Sequence, residues 1–212
     1  MAIEQDIPKI VSDQRRFFNS MATRPHEFRI KALDTLKKGI IKFESRLTQA
    51  LSRDLGKPEF ESYASETGFV LSDLTHTVKK LNTWMKPKRV STPMLCQPGS
   101  SRILYSPLGV NLIISPFNYP VGLTFAPLAA AIAAGNTAVI KASELTPHCS
   151  RVIQELIEDS FPGEYIAYVP GEVPETTRLL EEKFDHIFFT GSPRVGSIVM
   201  AAAARHLTPV TL

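Results

Sequence analysis

Three short segments combine residue types that could do chemistry. In Ile113–Pro120, Pro116 and Pro120 bracket Asn118 and stiffen a turn, which could aim the Asn118 amide N–H at a developing oxyanion. A turn asparagine bonding its own backbone accounts for the same residues, and on the turn alone that plainer reading is preferred. In Val139–Glu144, Lys141 and Glu144 directly follow an apolar, β-branched run. Such a pair could hold a ribose, the carboxylate accepting from its hydroxyls. An exposed loop pair fits the spacing equally well. In Phe188–Gly196, the Gly191-Ser192 turn runs straight into Pro193 and a helix. Amide N–H groups and the positive end of a helix dipole suit a pyrophosphate there, and Gly196 would let the first turn approach a ligand or the sheet closely. Glycine-serine caps are common, and neither Gly-x-Gly-x-x-Gly nor the P-loop pattern occurs in the chain.

The remaining reactive side chains show no pattern. His26, His76, His148, His186 and His206 lack metal-ligand spacing, so no metal site is expected. Cys149 falls two residues into a helix opened by Pro147, where a helix N-terminus could lower a thiol pKa. Cys96 falls in a turn-rich stretch. No motif brings either cysteine near Asn118, and both are read as structural or incidental.

The elements that must position these segments can be read from periodicity. From Pro25 onward Phe28, Leu33, Leu36, Ile40, Ile41, Phe43 and Leu47 recur at helical steps until Gly56-Lys57-Pro58. A second helical run extends from Glu59 to about Met85, with Phe69, Leu74, Val78 and Leu81 on one face. Residues 88–106 are rich in Ser, Thr, Pro and Gly, as in a β-hairpin or extended arm. Beyond Pro107 short apolar runs alternate with helical ones. Strands are predicted at Val110–Ile114, Thr137–Lys141, Tyr165–Val169, Asp185–Thr190 and from Thr208. Helices are predicted at Val121–Ala134, from Thr146-Pro147 (Thr146 as N-cap), at Pro174–Glu181 and from Ser192-Pro193 to Arg205. This order implies a parallel α/β sheet with right-handed crossovers and helices on both faces, which binds ligands beyond the carboxyl ends of its strands.

Composition narrows the function classes. The 212 residues carry 24 basic and 21 acidic side chains, a net charge of +3, with 43% hydrophobic residues. That balance leaves no dominant basic face for nucleic acid and excludes disordered and collagen-like chains. Two cysteines cannot form a disulfide framework, so a reducing compartment is the default. No secretory signal is visible at the N-terminus. Val121–Ile140 is long enough to span a bilayer, but Pro127 and Gly135-Asn136 interrupt it, and a buried helix followed by a buried strand is expected instead. The run Thr208–Leu212 reads as a buried strand, from which the chain is expected to be part of something longer.

Taken in order, the motifs resemble the aldehyde dehydrogenase superfamily, most closely its class 3 or fatty-aldehyde branch. The matching residues are Pro107-Leu108-Gly109-Val110, Pro116-Phe117-Asn118-Tyr119-Pro120, Ala133-Ala134-Gly135-Asn136-Thr137, Lys141 with Ser143-Glu144-Leu145-Thr146-Pro147, and Phe189-Thr190-Gly191-Ser192 with Val195-Gly196. The helical half matches through Asp54-Leu55-Gly56-Lys57, Glu66-Thr67-Gly68 and Trp84-Met85-Lys86-Pro87.

The resemblance implies NAD(P)-dependent oxidation of an aldehyde to a carboxylic acid. In that family a cysteine thiolate attacks the carbonyl, an asparagine (Asn118 here) holds the oxyanion, and a glutamate acts as base. The implied cofactor-binding set is Ile114, Ser115, Pro116, Lys141, Ser143, Glu144, Thr190, Gly191, Ser192, Val195 and Gly196. Lys141 and Glu144 would hold the adenine ribose, Gly191 and Ser192 the pyrophosphate, and Val195 would pack near the adenine. Glu144 as ribose acceptor favours NAD, with NADP left open. Ala142 replaces the proline that the family has after its lysine, with little effect expected. Tyr63 and Tyr119 are placed on the near side of the substrate tunnel. The family pattern continues past Leu212 into Glu-Leu-Gly-Gly-Lys, whose glutamate is the base, and the nucleophilic cysteine lies further on. By this resemblance the chain is divided into an N-terminal helical segment (1–87), a hairpin or arm (88–106) and a Rossmann-like cofactor-binding domain (107–212). Inactivity of the 212 residues alone, a homodimer when complete and a cytoplasmic location are expected. The alternative, from another class, is a non-catalytic module that binds nucleotide or pairs with a full-length subunit.

Overall fold

The computed structural model describes residues 6–212. Helix α1 (Ile7–Asn19) opens where the Asp6 side chain accepts from the Lys9 N–H at 3.0 Å. Helix α2 (His26–Leu55) ends at Gly56, whose φ of 68° is the left-handed conformation that glycine adopts without strain. A continuous helical stretch follows as α3 (Glu59–Ser62), a π-turn (Tyr63–Thr67) and α4 (Gly68–Trp84). The inward face of α4 is Val70, Leu74, Thr77 and Leu81. Phe69, assigned to that face from the sequence, is 55% exposed, because the 70-74-77-81 series takes the inward positions. Ile41 of α2 is exposed for the same reason, one step off the buried stripe that carries Ile40 and Phe43.

Strands β1 (Lys88–Val90) and β2 (Ser101–Ile103) pair antiparallel as a small hairpin. The main sheet then forms from β3 (Val110–Ile114), β4 (Thr137–Lys141), β5 (Ile166–Tyr168), β6 (His186–Phe189) and β7 (Val210–Thr211), all parallel, in the order β5-β4-β3-β6-β7. Every residue of β3 and β4 is buried, as a central parallel strand covered on both faces requires. Helices α5 (Gly122–Ala134) and α6 (Pro147–Ser160) cover one face together with α2 and α4, in a core built on Ile113, Ala138 and Ile140. Helices α1, α7 (Val173–Glu181) and α8 (Pro193–Ala204) cover the other, around Val110, Leu112 and Ile187.

Val121–Ile140 is therefore α5 and β4, with Gly135 between them at φ 85°. The carboxyl end of α5 is tied down by Arg29 Nη1, which donates to Ala133 O at 3.0 Å, and by Thr23 Oγ1, which donates to Gly135 O at 2.7 Å. Among the described residues no helix is long and apolar enough to cross a membrane.

Two further expectations are corrected. The run at 208–212 is not a buried strand. β7 has only two residues and pairs with β6 alone, so Thr211 and Leu212 stay exposed at the sheet edge. Thr146 occupies the N-cap position of α6 but makes no capping bond, and its buried Oγ1 lacks a partner. The cap comes instead from Asp54 at the end of α2, which accepts the His148 N–H at 3.3 Å and the Cys149 N–H at 2.7 Å. A carboxylate offers the helix's positive end a full negative charge, which a threonine hydroxyl cannot.

Candidate functional site

In this sheet the strand order reverses at β3. The chain runs outward through β4 and β5, then returns to place β6 on the other side of β3. Crevices at such switch points, beyond the carboxyl ends of the strands, are where open α/β sheets bind ligands. The register makes the crevice concrete, because Ile114 stands opposite Lys141 on one side and Phe189 on the other. The next residue pairings extend it, with Ser115 N donating to Lys141 O and Thr190 N to Ile114 O, both at 3.1 Å. Three segments distant in sequence thus meet side by side on one rim, within about 10 Å, two strand spacings.

On the first strand end, Ser115 is buried and its hydroxyl works inside the fold. Thr124 Oγ1 of α5 lies 2.6 Å from both Ser115 Oγ and Pro120 O, tying the end of β3 to the start of α5. Pro116 is half-buried, and Phe117, Asn118 and Tyr119 are exposed on the rim. The Asn118 main-chain carbonyl accepts from Lys57 Nζ at 3.0 Å. Asn118 is therefore held through its backbone by a side chain 61 residues earlier.

On the second, Lys141 is 2% exposed. Its Nζ donates to Ala142 O at 2.7 Å and lies 3.8 Å from Glu144 Oε2. Burial pulls its pKa below the ordinary lysine value, partly countered by the charges of Glu144, Glu175 and Glu172. An ammonium has three donors. Buried beside a carboxylate at 3.8 Å, it is short of close partners and suits a ligand's hydroxyls. Glu144 is exposed at the same mouth, while Ser143 serves the local turn, its Oγ accepting from Leu145 N at 3.2 Å.

On the third, Thr190 is half-buried and Ser192 caps α8, its Oγ accepting from Val195 N at 3.4 Å. A Cβ at Gly191 would collide with the Phe189 ring, so the turn demands glycine whether or not a ligand binds. Gly196 differs. A Cβ there would meet only Leu212 and Phe189 atoms at 3.7 Å, an ordinary contact, so the fold itself does not forbid a side chain at this position. Val195 is half-buried beside it.

The two thiols differ in environment, and neither lies among the rim residues. Cys149 is buried, and desolvation together with the Asp54 carboxylate pushes its pKa far up, opposite to the lowering a bare helix N-terminus would give. Cys96 is exposed in the hairpin. An apolar groove of about 920 Å³ lined by Leu81, Trp84, Tyr105 and Ala133 lies at the other end of α5 and contains none of the rim residues.

The sequence reading missed two residues as parts of this site. Lys57 and Glu66 form a buried ion pair at 2.6 Å, and Glu66 Oε2 accepts the N–H groups of Val121 at 3.0 Å and Gly122 at 2.8 Å. Both lay within quoted motifs, but the rim residues they hold, Asn118, Val121 and Gly122, are 55 or more residues away in sequence, so no local signal joined them to the site.

The sheet order, the switch point and the rim define an α/β protein of the doubly wound type. The chain belongs to the aldehyde dehydrogenase family, whose model matches residues 1–212. It is 48% identical over 200 residues to 4,4'-diaponeurosporen-aldehyde dehydrogenase of Staphylococcus aureus, covering 94% of this chain and 44% of that protein. It is 44% identical over 207 residues to the dimeric NADP-preferring aldehyde dehydrogenase of Mus musculus, covering 98% and 46%. A solved structure described as the substrate-bound state of Staphylococcus aureus AldH superposes with a TM-score of 0.96 at 46% identity, over 98% of this chain and 45% of that one. The chain thus spans somewhat under half the length of the relatives it matches.

Proposed function

We propose that these residues form the cofactor-binding part of an enzyme that oxidises an aldehyde to a carboxylic acid with NAD(P). The observation that carries the reading is the meeting of Asn118, the Lys141–Glu144 pair and the Gly191-Ser192 cap on one rim at the switch point. The residues fit a dinucleotide: a buried ammonium with donors to spare, an exposed carboxylate beside it, and a helix N-terminus across the crevice.

In this reading Lys141 and Glu144 hold the adenine ribose through its hydroxyls. The Gly191 and Ser192 turn and the start of α8 face the pyrophosphate, with Val195 against the adenine and Gly196 leaving room for close approach. Ile114, Ser115, Pro116, Ser143 and Thr190 shape the floor. Bound there, the nicotinamide supplies the acceptor for the aldehyde's hydride. Asn118, on the same rim, donates to the oxyanion that develops on the substrate. NAD is favoured because Glu144 would repel a 2′-phosphate. The mouse relative's name, NADP-preferring, keeps the second cofactor in view. The nucleophile is neither Cys96 nor Cys149, so turnover needs residues beyond these 212. The complete enzyme is read as a cytoplasmic homodimer acting on a small-molecule aldehyde.

Calorimetric titration with NAD tests the reading. One saturable site that is weakened in Lys141→Met supports it; absence of binding, or binding indifferent to Lys141, contradicts it.

A further inference from the structure

Asn118 sits on an exposed turn, yet its backbone is not free to choose a position. Lys57, immediately after the left-handed Gly56 that ends α2, reaches under the turn. Its Nζ donates to Asn118 O at 3.0 Å, pairs with Glu66 Oε1 at 2.6 Å and lies 3.9 Å from the centroid of the Tyr119 ring. Glu66 is 0% exposed. It is carried on the π-turn Tyr63–Thr67, where the extra residue per turn redirects side chains relative to the flanking helices. Its other oxygen accepts the N–H groups of Val121 and Gly122, the opening residues of α5, which has no side-chain cap of its own. One ion pair therefore holds both ends of the segment 118–122. Lys57 fixes the carbonyl of Asn118 and Glu66 fixes the helix that follows.

We infer that Lys57 and Glu66 are the positioning pair for Asn118, setting from the N-terminal helical layer where the oxyanion-donating group stands on the rim. The inference rests on the oxyanion role proposed for Asn118. A buried pair is costly to desolvate and is often replaceable by neutral side chains of similar volume without loss of stability. Its value here is geometric. A neutral pair would fill the same space but would leave the Asn118 carbonyl without its charged donor.

That difference supplies the test, read by ¹⁵N-edited NMR on the chain itself, so that it does not depend on turnover or on cofactor binding. In the unsubstituted chain, an NOE between the Lys57 ammonium and the Tyr119 ring protons is expected, and its absence would count against the contact. Lys57→Met should displace or broaden the backbone and side-chain amide signals of Asn118 and the amide of Tyr119. It should also lower the melting temperature by stranding Glu66. The double variant Lys57→Met with Glu66→Gln should recover much of that melting temperature while the Asn118 signals stay displaced. A role limited to stability predicts instead that those signals return together with the melting temperature, and that result would overturn the inference. If Lys57→Met fails to fold, the double variant and the NOE still decide. Loss of NAD binding in the unsubstituted chain would speak against the proposed function and leave this test intact.

Discussion

Lys141 Nζ stands 3.8 Å from Glu144 Oε2, with the lysine buried and the glutamate open to solvent at the mouth of the crevice. The pair is asymmetric. The ammonium is desolvated and underused, and the carboxylate is hydrated. Removing the ammonium should cost a charged hydrogen bond to the ligand, about 1.5–3 kcal/mol, or about a 10- to 100-fold loss of affinity for NAD in Lys141→Met by calorimetry. Glu144→Gln should bring NADP affinity closer to that of NAD.

The same lysine predicts a pH dependence. Its folded pKa is lowered, chiefly by burial. Between that value and the ordinary lysine range the unfolded chain binds more protons than the folded one, so stability rises with pH across this window. NAD affinity, which uses the charged form, should fall as pH rises through the same window. Both trends should be absent in Lys141→Met when melting temperature and titration heats are followed from pH 7 to 10.

Asp54 gives the opposite sign. Burial would raise its pKa, but the Cys149 N–H, then the His148 ring and N–H, outweigh it and leave the pKa below the usual carboxylate value. The stability it contributes is present above the unfolded aspartate pKa and is lost as pH falls through the folded one. Asp54→Asn, by urea denaturation at pH 7, should cost about 1–2 kcal/mol, the range for a lost helix cap. The gap should close in acid.

The two glycines of the third strand end should separate structure from binding. Gly191→Ala forces a Cβ onto the Phe189 ring and should lower the melting temperature with or without NAD. Gly196→Ala has ordinary room within the chain and should leave the melting temperature unchanged or slightly higher, as alanine favours a helix. If α8 approaches the pyrophosphate closely, NAD affinity should nevertheless drop in Gly196→Ala.

Thiol labelling should distinguish the cysteines. With Cys149 buried and its pKa pushed up, a maleimide at neutral pH should modify Cys96 quickly and Cys149 only on unfolding, as intact-mass spectrometry would show by a single adduct.

Much of the frame was legible because its signals are local. Val110–Ile114 and Thr137–Lys141 are apolar runs after glycine turns at Gly109 and Gly135, and both are strands with those bounds. The three site segments could be named for the same reason, since a parallel sheet brings every strand's carboxyl end to one rim. Contacts made between layers were not legible. The Asp54 cap on α6 joins residues 94 or more apart, and a threonine in the N-cap position suggested a nearer answer. Glu66 is aimed by a π-turn, which a helical period of 3.6 does not foresee. The exposure of Phe69 and of Thr211 was misread because hydrophobicity alone does not say which neighbour is present to cover a residue.

The proposed function places a dinucleotide across the rim between Lys141 and the start of α8. A crystal of the chain soaked with NAD would show where the cofactor settles. Density is expected for the adenine ribose against Lys141 and Glu144 and for the diphosphate at the amides following Gly191. Clear density for the cofactor at any other place, with this crevice empty, would contradict it.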